Sequence, residues 1–156
     1  MFDERFLNHE EMTKLGELGE WVAYKVLTEN YNADVKMSDS QWDSEKDMTI
    51  NGAKCEVKTQ IPFITENSFA VKQSQWKKCA EAEVLIFVEV PYRNRYGVNE
   101  SINVWLSKRD ERKGKRRRTK DDRDMIMYSK EQMTKIATVD DTKLCRQMEV
   151  LSQTQV

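Results

Sequence analysis

One dipeptide, Asn51-Gly52, constrains this chain more than any other feature. A two-residue type I′ hairpin turn needs φ > 0 at both central positions, and Asn-Gly is the pair that supplies it most readily. Once that turn is accepted the register follows. Ile50 faces Ala53, Thr49 faces Lys54, Met48 faces Cys55 and Asp47 faces Glu56. Opposed residues share a face of the ribbon, with Cβ atoms about 4.5–5.5 Å apart. The period of two puts Lys58 on the Glu56 face and turns Cys55 and Val57 the other way. The turn therefore gathers two carboxylates and an ammonium, and Gln60 falls on the same face two residues further on.

Like charges set opposite each other destabilise a ribbon unless something compensates. A hard divalent cation would do so. Mg²⁺ takes oxygen ligands at about 2.0–2.1 Å, commonly one or two carboxylates with water and substrate phosphate. Lys58 then stands where it stabilises negative charge on a phosphate or polarises an attacking water. The plainer alternative is an exposed ribbon whose charges are merely solvated. Asp39 and Asp43 in the preceding connection are alternative ligands if the register differs, and Trp42 beside them is a residue for packing or for stacking on a base.

The elements around the hairpin are legible from periodicity. Residues from about Glu10 to Asn30 form an amphipathic helix with Leu15, Leu18, Gly19, Val22, Ala23 and Val26 on one side. At about 100° per residue, Glu17 points away from that stripe whereas Glu20 lies on its flank. Gly16 and Gly19 lower helix propensity, which suggests a close backbone approach. A short strand around Val35–Met37 precedes the hairpin. Ser68–Val71 is a further short strand, and Lys72 to Ala82 reads as a second helix. Val84–Val90, apolar and ended by Pro91, is a buried central strand. Arg93 to Asn99 reads as a turn and Ile102–Leu106 as another strand. The expected class is α/β (α+β), with a mixed central sheet flanked by helices.

Asp47 followed by Glu56-Val57-Lys58 resembles the D…(D/E)-x-K signature of the PD-(D/E)XK nuclease superfamily. Ser44-x-x-Asp47 with Glu-Val-Lys is similar in particular to its small Holliday-junction-resolvase-like members. The Pro that precedes the Asp in that family is replaced by Lys46. The resemblance runs from about Lys14 to about Pro91 and implies the αβββαβ restriction-endonuclease-like core. It implies that Asp47, Glu56 and the Val57 carbonyl hold Mg²⁺, with Mn²⁺ able to substitute, that Lys58 orients or activates water, and that Ser44 lies by the nucleic acid. Gly16-x-x-Gly19-Glu20 is similar to the first helix of many small members, in which this Glu adds an acid to the metal site. Gln60 corresponds to a Gln that contributes to the site in some branches.

Composition excludes several classes. The single histidine, His9, excludes His-rich metal sites and argues against Ser-His-Asp or His-metal nuclease chemistry. Cys55, Cys79 and Cys145 are widely spaced at apolar-pattern positions and read as reduced core thiols of a cytoplasmic protein. No apolar run approaches the roughly 18 residues of a membrane span, and Met-Phe-Asp-Glu-Arg lacks the pattern of a signal peptide. A net charge of −1 hides segregation: Lys108–Lys120 holds nine Lys/Arg and two acids, leaving 17 basic and 25 acidic residues elsewhere. That segment, with Lys115, Arg116, Arg117 and Arg118 at its centre, reads as a loosely held arm for a phosphate backbone. Met125–Tyr128 reads as a last strand, Ser129 followed by Glu131 signals a helix to about Ala137, and Asp141–Leu151 a terminal one. The chain is thus expected to be a single domain, with a core over about 10–107, a basic segment over 108–124 and a helical extension over 125–156. The expected activity is Mg²⁺-dependent hydrolysis of DNA phosphodiesters, structure-selective or junction-resolving, in a homodimer with no organic cofactor and no membrane, suited to phage or mobile-element recombination. The competing expectation is a catalytically inactive nucleic-acid-binding module that uses the basic 108–120 segment.

Overall fold

The computed structural model of the chain describes residues 9–37, 48–61, 67–94 and 97–153. In chain order its elements are α1 (His9–Tyr31), β1 (Val35–Met37), β2 (Met48–Ile50), β3 (Ala53–Gln60), β4 (Ser68–Lys72), α2 (Trp76–Glu81, entered through a 3₁₀ turn at Gln73–Gln75) and β5 (Val84–Glu89). There follow β6 (Tyr92–Asn94), β7 (Gly97–Asn99), β8 (Ile102–Lys108), β9 (Lys115–Arg118), β10 (Asp124–Ser129), β11 (Thr134–Val139) and α3 (Thr142–Gln153). Six strands make the central sheet in the order β1-β2-β3-β5-β8-β11. It is mixed: β3 and β5 run parallel, and the other neighbours are antiparallel.

Alternation along these strands gives the sheet two apolar faces, which is why it sits between two layers. Cys55, Val57, Ile86, Val88, Ile102 and Val104 face one way. They pack against Leu15, Val22, Ala23, Val26 and Leu27 of α1 and Cys145 and Met148 of α3. Leu85 and Phe87 face the other way, onto Phe69, Val71, Cys79 and Tyr128. Phe69 and Phe87 stack there with centroids 4.5 Å apart. That second layer consists of α2 and a three-stranded sheet, β4-β10-β9. The three cysteines are buried and form no disulfide with one another. Among the described residues no helix is long and apolar enough to cross a membrane.

The structure corrects the sequence reading in its second half. Residues 108–124 are not a loose arm, because Lys115–Arg118 forms β9, the edge strand paired to β10. The expected helical extension over 125–156 is helical only in α3, which matches the terminal helix expected over Asp141–Leu151; before it, Met125–Tyr128 lies in β10, central to the second sheet, and β11 closes the first. The expected helix after Ser129 is one 3₁₀ turn, Lys130–Gln132. Ser129 caps it by accepting from the Glu131 N–H, and the β-branched run then pairs with β8. Arg93–Asn99, expected as a turn, carries the small hairpin β6–β7.

The two glycines of α1 differ in kind. A Cβ on Gly19 would stand 1.7 Å from Thr59 Oγ1, so this glycine lets α1 lie directly on β3, whereas Gly16 has nothing within 4 Å. The same substitution should therefore act in opposite directions. Gly16→Ala is expected to stabilise the chain by about 0.5–1 kcal/mol through helix propensity. Gly19→Ala is expected to destabilise it by about 1–3 kcal/mol through overpacking. Urea unfolding midpoints of the two variants check both signs.

Candidate metal centre and basic edge

The hairpin forms as its sequence requires. Asn51 has φ 50° and Gly52 φ 84°, and the register is Ile50↔Ala53, Thr49↔Lys54 and Met48↔Cys55. The turn is also tied down from outside. Asn51 N–H donates to Asp34 O at 2.7 Å, and Asn51 Oδ1 accepts from Asp34 N–H at 2.9 Å. In a two-residue hairpin the residues flanking the turn exchange both main-chain hydrogen bonds, and alternate residues repeat that direction. Ala53, Cys55 and Val57 therefore aim N–H and C=O toward the β2 flank, and Val57 lies beyond Met48, the last described residue there. Asp47 and Ser44 lie outside the described residues, as do Asp39, Trp42 and Asp43.

Glu56 is the chemical centre of what is described. It is 2% exposed, roofed by the second layer. Its Oε1 lies 3.0 Å from Lys58 Nζ and 3.7 Å from Lys78 Nζ. Lys58 Nζ also donates to Gln75 Oε1 at 2.6 Å. The sequence placed Glu56 and Lys58 together; it missed Lys78 and the role of Gln75. Helix phase carried a signal, since Gln75, Lys78 and Cys79 share one side at i, i+3 and i+4. Cys79 sits beside this group, and burial pushes its thiol up to about 11.

The other candidates fall in different places. Gln60 uses both ends of its amide on the backbone of Ala70, Nε2 donating to the carbonyl and Oε1 accepting from the N–H, each at 3.0 Å. It joins β4 to the end of β3. Glu20 rides on α1, which packs through Gly19 on Thr59. Thr59 faces away from Glu56, so the two glutamates start from opposite sides of β3. In donor chemistry, the Glu56 carboxylate and the Val57 carbonyl suit a hard cation such as Mg²⁺. In number they fall short without Asp47, since no group of three His, Cys, Asp or Glu side chains gathers among the described residues.

The basic run lies on the same side of the central sheet as Glu56. All four residues of β9 are exposed. The Arg116 guanidinium lies 5.3 Å from the Trp76 ring centroid and 3.2 Å from Asp124 Oδ2. Arg118 Nε lies 2.7 Å from Asp122 Oδ1. Trp76 begins α2 directly after Gln75, so the basic edge abuts the helix that serves the Glu56 cluster. No protein-family model, curated protein or solved structure matches this chain.

The buried thiol gives this cluster a measurable pH signature. The folded pKa of Cys79 lies above its ordinary 9.0, at about 11, so the folded state holds this proton more tightly than the unfolded chain does. The stabilisation is complete below about 9 and is lost as pH rises toward 11. Urea unfolding should show stability falling between about pH 9 and about pH 11, less steeply in Cys79→Ala.

Proposed function

We propose that this chain is a metal-dependent nuclease acting on DNA phosphodiesters, with Asp47, Glu56 and the Val57 carbonyl as the metal-holding groups. The observation that carries this reading is the register of the Asn51-Gly52 hairpin, which sets Glu56 and Lys58 on one face. A divalent cation bound there supplies Lewis acidity and a more acidic bound water. Lys58 holds a water or a phosphate oxygen by its ammonium, and Gln75 fixes the direction of that ammonium. Lys78 Nζ, 3.7 Å from Glu56 Oε1, offsets the charge of that buried carboxylate from the side of α2. Strand β9 lends sequence-independent affinity for the phosphate backbone. A homodimer would bring two such sites to two strands, as resolution of a branched substrate requires.

A second reading has an observation in its favour. Glu56 is buried and already neutralised by Lys58 and Lys78, which suits a nucleic-acid-binding module that does no chemistry.

Incubation with labelled duplex, single-stranded and four-way-junction DNA in Mg²⁺ or Mn²⁺ separates the two. The nuclease reading expects products that fall at least about 100-fold in Asp47→Asn, Glu56→Gln and Lys58→Met, with DNA retention unchanged in the last. Retention without products from any substrate supports the binding module. Cleavage by Glu56→Gln at the native rate, in a variant shown to melt cooperatively, contradicts the proposed site.

A further inference from the structure

The four charges of β9 are not equivalent. Strand alternation sends Arg116 and Arg118 to one face and Lys115 and Arg117 to the other. The register identifies the faces. Arg116 pairs with Ile126 and Arg118 with Asp124, whereas Lys115 pairs with Met127 and Arg117 with Met125. Ile126 packs toward the central sheet with Phe69, Phe87 and Tyr128. Met125 and Met127 cluster with Ala70 on the reverse of the second sheet. The inward pair of arginines is matched by acids, Asp124 at 3.2 Å from Arg116 and Asp122 at 2.7 Å from Arg118. The outward pair, Lys115 and Arg117, has no ion pair among the described residues. Met125, Met127 and Ala70 are themselves buried, so what this face offers to a ligand is its exposed β9 edge, where Lys115 and Arg117 stand.

From this partition we infer that Lys115 and Arg117 are the residues of the basic run that contact a nucleic-acid backbone, while Arg116 and Arg118 hold the edge of the second sheet in place. The inference rests on the nucleic-acid reading proposed above and adds to it the face on which the polyanion lies. A charged edge strand also discourages pairing with other strands, but that role is indifferent to sign and to face. One-sided neutralisation is not. Lys115 and Arg117 stand about 6.8 Å apart along the strand, both on long side chains that reach past the edge. They form a short cationic rail, suited to successive phosphates and carrying no groups arranged to read bases.

The test is equilibrium binding of the full chain to a labelled DNA duplex across a series of salt concentrations, without divalent cation so that no turnover intervenes. Each phosphate contact contributes about 0.9 to the slope of log K against log salt. Lys115→Gln/Arg117→Gln is therefore expected to reduce that slope by about 1.8. Arg118→Gln/Asp122→Asn removes a matched pair at unchanged net charge and is expected to leave the slope as it is. Lys143→Gln/Arg146→Gln on α3, across the central sheet, makes the same net-charge change as the first variant and is expected to leave the slope unaltered too. A native slope in Lys115→Gln/Arg117→Gln, an equal loss in either control, or affinity for anionic lipid vesicles but not for DNA overturns the inference. Binding is read apart from cleavage, so a result against Lys115 and Arg117 leaves the nuclease reading standing, and a chain that never cleaves can still confirm this one.

Discussion

A carboxylate taken out of water has to be met by opposite charge, and the burial of Glu56 organises much of this molecule. Alone in a medium of low dielectric, such a group would cost on the order of tens of kcal/mol. Here two ammonium groups approach it, Lys58 from its own strand and Lys78 from α2. Removing one partner of a buried set of this kind costs about 3–5 kcal/mol. Helix α2 is therefore more than a cover. Its C-terminal carbonyls are clamped by the buried Arg112, whose Nη2 donates to Cys79 O at 2.7 Å and also to Ala82 O, while its Nη1 donates to Ser107 O at 3.3 Å. The clamp holds α2 so that Gln75 and Lys78 reach β3.

The same device appears a second time along the same face. Glu89 of β5 is also 2% exposed. It accepts from Trp105 Nε1 at 3.1 Å and Asn103 Nδ2 at 3.2 Å, and its other oxygen meets Lys130 Nζ at 2.6 Å. Two buried acids on neighbouring strands thus tie the second layer to the central sheet at separate points. The opposite face of that sheet, packed on α1 and α3, relies on apolar contact and on the close approach at Gly19. Polar specificity is concentrated on the side where chemistry is proposed.

What could be read from the chain alone divides along physical lines. The hairpin was legible because φ > 0 at two successive residues is a local demand that few dipeptides meet. The first helix and the buried strand Val84–Glu89 were legible because periodicity is also local. Strand β9 was not, since Lys and Arg carry little strand preference and its existence depends on pairing with β10. Strand β11 was hidden by a genuine capping signal: Ser129 does cap a turn, but the turn stops after three residues. Within the site, Glu56 and Lys58 followed from register. Lys78, Gln75 and the brace between Asn51 and Asp34 come from segments 17 to 22 positions away, and neither periodicity nor turn chemistry fixes such contacts.

A cation site and a closed ion-pair cluster are two uses of one arrangement, and competition between a divalent ion and two lysines for Glu56 decides between them. Paramagnetic broadening by Mn²⁺ in a ¹H–¹⁵N spectrum of the full chain measures that competition directly. The account predicts loss of signal centred on Asp47 and on Glu56 through Lys58, abolished by Asp47→Asn and relieved by excess Mg²⁺. Broadening centred elsewhere, or none at those amides at millimolar Mn²⁺, would contradict it.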